Sequence, residues 1–396
     1  MMTRLSPSLL SALMLIMVAS SGCVLPEAEP ASGAEGPEAS AEPESGDGAD
    51  EPDSPASVAP ESTGPAPEPN MTGNVSSDQS RVGLCLGPGL AYLYCGTRNI
   101  LIEGTIDDLA ALPVLLETFS GTVSVATGED NLWSLHAMIA SGGMSASQAQ
   151  TNLDSIEFAW SYLGEDGYAL VGTATSNGNP VGGRHEASLY LTLPEAVAPD
   201  LDATVGAGRI LVDSLAGGTV GASVSKGSVY LSDAILENAL LTTGSGSIYV
   251  TNLTSESLGA SSGSGSIYAD EIAAAVTDLH SSAGSVYGTI RGATSNLGSS
   301  SGSVYASFVP TGNGALTIDG GASSLDVSLP EGEGFGYDVQ AETGSGSVDI
   351  LLEDGAGESE QRNASFLTTG FAQRDIQTIV RLSTGSGSVF VYPVSE

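Results

Sequence analysis

A tetrapeptide, Gly-Ser-[Ile/Val]-Tyr, returns five times in one phase along this chain. The copies are Gly227-Ser228-Val229-Tyr230, Gly246-Ser247-Ile248-Tyr249, Gly265-Ser266-Ile267-Tyr268, Gly284-Ser285-Val286-Tyr287 and Gly302-Ser303-Val304-Tyr305, with glycines 19, 19, 19 and 18 residues apart. Gly208-Arg209-Ile210-Leu211 stands another 19 residues upstream, and weaker copies follow at Ser323-Ser324-Leu325, Gly346-Ser347-Val348 and Gly387-Ser388-Val389. Self-similarity at a fixed period of this length marks a repeat architecture. One such unit cannot bury its own apolar face, but stacked units bury a continuous core.

Within a unit, polar and apolar residues alternate. In the second copy Ile248 and Val250 are apolar while Ser247 is polar and Tyr249 amphipathic, the period of a strand. Two further apolar stripes keep the same phase. Upstream lie Ala203, Ala222, Leu241, Ala260, Leu279 and Leu297, with Leu201, Val220, Ala239, Leu258 and Thr277 two residues before them. Downstream lie Leu215, Ala234, Leu253 and Ile272. Three inward stripes joined by Gly/Ser corners describe one coil. The fold expected is all-β: a single-chain parallel β-solenoid with ~19-residue coils, its hand left open, over residues 200–396. An antiparallel sandwich would also alternate, but it predicts no fixed period. Residues 353–372 break the period and read as an excursion or an atypical coil. The final strand, Val389 to Tyr392, is expected to cap the end.

Composition limits the partners. The 396 residues include 47 acidic and 10 basic side chains, a formal net charge of −37, and Lys226 is the sole lysine. Such a polyanion repels nucleic acid and anionic headgroups. Three cysteines, Cys23, Cys85 and Cys95, lack metal-ligand spacing, and nothing implies a metal or a cofactor.

The N-terminus reads as a targeting segment. Arg4 precedes an apolar run from Leu9 to Ala19, followed by Ser20-Ser21-Gly22-Cys23. This is a signal-peptide pattern over residues 1–22, too short to be a good membrane span. The junction resembles the bacterial lipobox, although Ser20 stands where leucine is usual. That resemblance implies cleavage before Cys23 and acylation of Cys23, hence membrane attachment through a lipid anchor. Val24 after the cysteine favours the outer membrane by the same resemblance. Residues 23–80 are almost wholly Pro, Glu, Ala, Ser and Gly. Residues 24–80 carry 13 acids and no base. Such a segment cannot bury a core and is expected to be a disordered tether.

Between tether and coils, residues 81–199 are expected to form a β-rich capping region with one short helix. Apolar runs ending in Cys85 and Cys95 flank Gly87-Pro88-Gly89, a turn signal, so a disulfide between these cysteines is expected in an oxidising envelope. Gly121 to Val125 reads as an early strand. Ser145-Ala146-Ser147-Gln148 fits a capping box for a helix over about 145–153. Ile156 to Tyr162 and Tyr168 to Thr173 read as a hairpin across Gly164-Glu165-Asp166-Gly167. Trp133 and Trp160 are expected in the core or cap. The region would cover a strand edge that is otherwise prone to aggregate.

At these residues the chain resembles the bacterial putative-adhesin family, a group of extracytoplasmic domains of unknown function. The likeness lies in an early Gly-x-Val-x-Val strand (Gly121 to Val125), the short helix, the strand Leu189 to Pro194, and the Ser-Gly-Ser-[Ile/Val] coils. It covers about residues 97–396. It implies a β-solenoid and suggests adhesion, without an established ligand or active site.

Chemistry is sparse. Gly259 to Gly263 and Gly298 to Gly302 match Gly-x-Ser-x-Gly, but a hydrolase elbow needs a following helix and a partner histidine. His136, His185 and His280 are isolated in sequence. The candidate binding strip is Tyr230, Tyr249, Tyr268, Tyr287 and Tyr305, outward by alternation, a flat aromatic face for a glycan or a surface protein. The function expected is non-catalytic surface binding or adhesion from the bacterial cell envelope. A structural, self-assembling component is the alternative, and a polysaccharide-acting enzyme a minor one.

Overall fold

The computed structural model describes residues 70–85, 92–107, 111–128, 131–162, 169–177 and 185–394. The expected signal peptide, Cys23 and most of the expected tether lie outside them.

The strands Pro199–Asp213, Thr219–Ser245, Ile248–Ser262, Ile267–Ser281, Val286–Ser299 and Val304–Gly320 bend around successive coils. Each pairs in parallel with the next, with equivalent repeat positions facing each other: Val229 on Ile248, Ile248 on Ile267, Ile267 on Val286, and Val286 on Val304. The fold is a parallel β-solenoid, and every residue of the three inward stripes is buried. Beta-branched and leucine side chains fill the interior because a coil of this size leaves room for one layer from each wall.

Two devices turn the corners. A buried hydroxyl three residues before Gly246, Gly265, Gly284 and Gly302 donates to the carbonyl of the preceding coil: Thr243 to Gly227, Ser262 to Gly246, Ser281 to Gly265 and Ser299 to Gly284, at 2.8–2.9 Å. The second corner uses Ser214, Asp233, Asn252 and Glu271, all left-handed at φ 51–58° and spaced by 19. Short polar side chains tolerate that region by bonding locally, and Asn252 Nδ2 donates to Asp233 Oδ1 at 2.7 Å. At Gly227 (φ 135°) only glycine fits, since a Cβ would lie 1.7 Å from the Gly208 carbonyl oxygen.

The solenoid starts earlier than residue 200. The strand Leu112–Gly128 pairs in parallel with Pro199–Asp213 in full phase, Val114 on Leu201, Gly121 on Gly208, Val123 on Ile210 and Val125 on Val212. Gly121 to Val125 is thus part of the first coil, and the residues from 129 to 198 are inserted between two stacked coils. The insertion covers the open edge of that coil. Leu170–Ser176 and His185–Pro194 pair with Leu112–Gly128 in parallel. Beyond His185–Pro194 follow Leu132–Gly143, Tyr94–Asp107 and Asn74–Leu84, all antiparallel. The helix Ala146–Asp154 is capped by Ser145, whose hydroxyl accepts from Gln148 N, and docks where Ser141 Oγ donates to the Ala149 carbonyl. Ile156–Tyr162 pairs with Leu170–Ser176 as a hairpin, its turn outside the described residues. Trp133 is fully buried and donates from Nε1 to the Thr72 carbonyl at 2.9 Å; Trp160 is half-buried.

The tether boundary at residue 80 is also corrected. Asn70–Met71 and Asn74–Leu84 are strands paired with Tyr94–Asp107. Asn74–Leu84 is a sheet edge exposed on both faces, so it shows no apolar alternation; backbone bonds to its neighbour hold it.

At the far end the chain leaves sequence order. Leu325–Leu329 pairs with Val389–Pro393, not with Val348–Ile350, and Val348–Ile350 pairs on the other side of Val389–Pro393. Likewise Ile376–Thr384 lies between Val304–Gly320 and Phe335–Thr343. The last coil of the sequence is therefore inserted between two earlier ones, and Val389 to Tyr392 does not cap the end. The cap is the period-breaking segment: Gly355–Glu360 and Asn363–Thr368 form a hairpin whose second strand pairs antiparallel with Phe335–Thr343. Arg374 pins this excursion through an ion pair with Asp354 and a bond to the Glu333 carbonyl.

Candidate functional site

The five repeat tyrosines form one row. Neighbouring ring centroids lie 4.8, 5.0, 4.9 and 5.0 Å apart, with planes within 5° of parallel. Parallel rings this close overlap face to face in an offset stack. The faces therefore cover one another, and the row offers ring edges and phenol hydroxyls to solvent. It is a ridge, not the flat face expected from alternation alone. The period sets the spacing, because strands stack at the same distance. A serine row, Ser228, Ser247, Ser266, Ser285 and Ser303, runs beside it, two residues before each tyrosine. The hydroxyls of Ser228, Ser266 and Ser285 accept from backbone N–H groups of the next coil, as Ser266 Oγ does from Ser285 N at 3.2 Å.

The other predicted residues do not meet at this ridge. Cys85 and Cys95 are joined by a disulfide, with Cα atoms 5.2 Å apart, at the end of the Asn74–Leu84 and Tyr94–Asp107 pair. His136 and His185 lie on paired strands in the inserted cap, and burial lowers both pKa values from 6.5. His280 sits on the coils beside Asp278, at 2.7 Å. The two Gly-x-Ser-x-Gly matches fall on coil strands and corners, with no helix after them. Among the described residues, no group of three His, Cys, Asp or Glu side chains is placed to hold a metal ion. No described helix is long and apolar enough to cross a membrane.

One concavity was not legible in the sequence. Where the terminal hairpin meets the last coils, an open groove of about 440 Å³ is lined by Gln340, Glu342, Asn363, Ser365, Arg381 and Ser383, among others. Strand register brings them together from distant positions, Gln340 beside both Arg381 and Ser365, and Glu342 beside both Ser383 and Asn363. Arg381 lies 3.7 Å from Asp338. Only the non-sequential coil order places Arg381 in this groove.

Capped parallel coils with an ordered aromatic ridge define this molecule as a single-chain β-solenoid. A family profile described as Toastrack DUF4097 matches residues 168–389, more than half of the chain, and the chain belongs to that family. Solved structures similar to it include a putative adhesin from Bacteroides fragilis, at 11% identity and TM-score 0.34, covering 75% of this chain and 97% of that one. A putative adhesin from Parabacteroides distasonis has 11% identity and TM-score 0.30, with 75% and 97% coverage. A putative cell adhesion protein from Clostridium sporogenes has 12% identity and TM-score 0.20, with 80% and 100% coverage. Likeness this low carries no functional information. No curated protein matches the chain.

Proposed function

We propose that this chain is a non-catalytic binding module of the bacterial cell envelope, anchored at the outer membrane through a lipidated Cys23, which grips a glycan or a surface protein along its tyrosine ridge. The observation that carries the reading is the stack itself. Four tyrosines of the row are 38–44% exposed, yet each ring packs on a neighbour. A side chain already held in place loses little rotamer freedom on docking. Tyrosine also combines apolar area with a hydroxyl that can donate or accept, the chemistry of interface anchors. The acidic segment after Cys23 would hold the coils away from the lipid surface. End-to-end assembly is less well supported, because covering strands lie on both end coils.

The test is a triple variant, Tyr249→Ser, Tyr268→Ser and Tyr287→Ser, assayed on whole cells and a glycan array beside far-ultraviolet circular dichroism. The proposal expects binding to be lost while the β signal stays. Unchanged binding by a folded variant removes the ridge as the site.

A further inference from the structure

The tyrosine row continues past Tyr305, but its next member is not a ring. In register, Tyr305 lies beside Asp326, Asp326 beside Phe390, and Phe390 beside Asp349. The aromatic row thus skips one rung and resumes at Phe390, which only the insertion of the last coil brings here. Two strand spacings separate the positions of Tyr305 and Phe390, roughly 10 Å. The rung between them carries the Asp326 carboxylate where the row would otherwise set a planar ring.

The exposures agree with a rung that lacks a ring. Rings inside the row have neighbours on both faces, whereas Tyr305 stacks only on Tyr287. It is the most exposed of the five, at 44%. Phe390 and Tyr392 are exposed at 39% each. Asp326 is half-buried on the rung between Tyr305 and Phe390, and its carboxylate raises the pKa of the Tyr392 hydroxyl. The arginine ion pairs of the described residues use Asp78, Asp354 and Asp338, not Asp326.

We propose that this slot receives the guanidinium of an arginine on a partner protein, stacked between Tyr305 and Phe390 with its N–H fork on Asp326. A guanidinium is planar, weakly hydrated and stacks on aromatic faces, while its donors match a carboxylate. An ammonium group is compact and strongly hydrated, so it fills a planar opening poorly. The net charge of −37 draws cationic partners toward the molecule. The slot names the chemistry for one end of the ridge and so rests on reading the ridge as a docking face.

Isothermal titration of the full chain with three blocked tripeptides, Gly-Arg-Gly, Gly-Lys-Gly and Gly-citrulline-Gly, tests it. Citrulline keeps the planar shape without charge, and lysine keeps the charge without the plane. The arginine peptide should bind roughly ten-fold more tightly than either. Asp326→Asn and Phe390→Leu should each erase that preference, while Glu237→Gln, at an exposed acid elsewhere on the coils, should leave it intact. Equal binding of the three peptides, or a preference that survives Asp326→Asn, overturns the proposal. Tyr249 and Tyr268 do not border the slot, so Tyr249→Ser with Tyr268→Ser should spare peptide binding. A ridge that fails on cells and a slot that fails on peptides are therefore separate results.

Discussion

The middle coils and the far end of the solenoid obey the same phase rule but different order rules. From Pro199 to Gly320 each coil stacks on the one before it in sequence, because adjoining strands are joined by only a few residues, as between Ser245 and Ile248 or Ser262 and Ile267. So short a link leaves no other neighbour within reach. After Ile350 the chain runs through a hairpin and a short 3-10 helix before Ile376. That excursion frees the last coil from its predecessor, and it enters the stack one rung early. Period fixes which residues face each other across a rung; link length decides which rung comes next.

The heaviest blow to this comparison is a side chain at a repeat glycine in each region. Gly227 and Gly387 share the strained backbone, at φ 135° and 132°, and a Cβ would meet a carbonyl oxygen at 1.7 Å and 2.3 Å respectively. Gly227→Ala should cost roughly 3 kcal/mol or more and lower the stability of the whole stack, since coils on both sides lean on that rung. Gly387→Ala should act locally, freeing the last coil first. Urea unfolding with hydrogen exchange separates the two. Equal global effects would mean that the far end folds as one unit with the middle.

A truncation ending at Asp375 asks whether link length alone sets the order. Without Ile376–Thr384 and Val389–Pro393, Phe335–Thr343 can meet Val304–Gly320 in the same phase, and Val348 can meet Leu325. The expected outcome is a folded chain whose melting temperature falls by several degrees, with amides of Val348–Ile350 still protected from exchange. Loss of protection back to Gly320 would show that side chains specific to the last coil hold the end together.

Much of the middle was legible because every coil repeats the same inward positions; Leu241, Ala260 and Leu279 needed only a period to be placed. The first coil was harder. Val114, Leu116, Gly121 and Val123 carry the repeat phase, but the long insertion before Pro199 hides a single copy from any search for spacing. Coil order was illegible in principle, since Gly346 and Gly387 fit the same neighbour equally well by phase. The ridge was placed correctly as a row, yet ring orientation depends on the coil spacing, which turns faces inward to their neighbours. The arginine slot and the groove at Arg381 both depend on the inserted coil, and so could not be read from local pattern.

A smaller effect should distinguish the coils from the inserted cap by pH. His136 and His185 lie on paired cap strands, and burial holds their folded-state pKa values below the ordinary 6.5. His185 Nδ1 lies 3.1 Å from Ser176 Oγ, while its buried Nε2 has no hydrogen-bond partner; a second proton there would be left without an acceptor. Below 6.5 the unfolded chain takes up protons that the folded cap resists, so stability present above that pH is lost as pH falls toward the folded values. Asp78, whose pKa is lowered by its hydrogen bond to Arg98, adds a second loss below its ordinary 3.8, on the adjoining strand pair Asn74–Leu84 and Tyr94–Asp107. Hydrogen exchange, corrected for intrinsic rates and compared between pH 7.5 and pH 5.5, should show faster opening on Leu132–Gly143 and His185–Pro194 than on Ile248–Ser262. His136→Gln with His185→Gln should remove the difference. Uniform loosening of cap and coils would instead mean that the cap transmits its protonation through Leu112–Gly128, and that the two regions are one cooperative body.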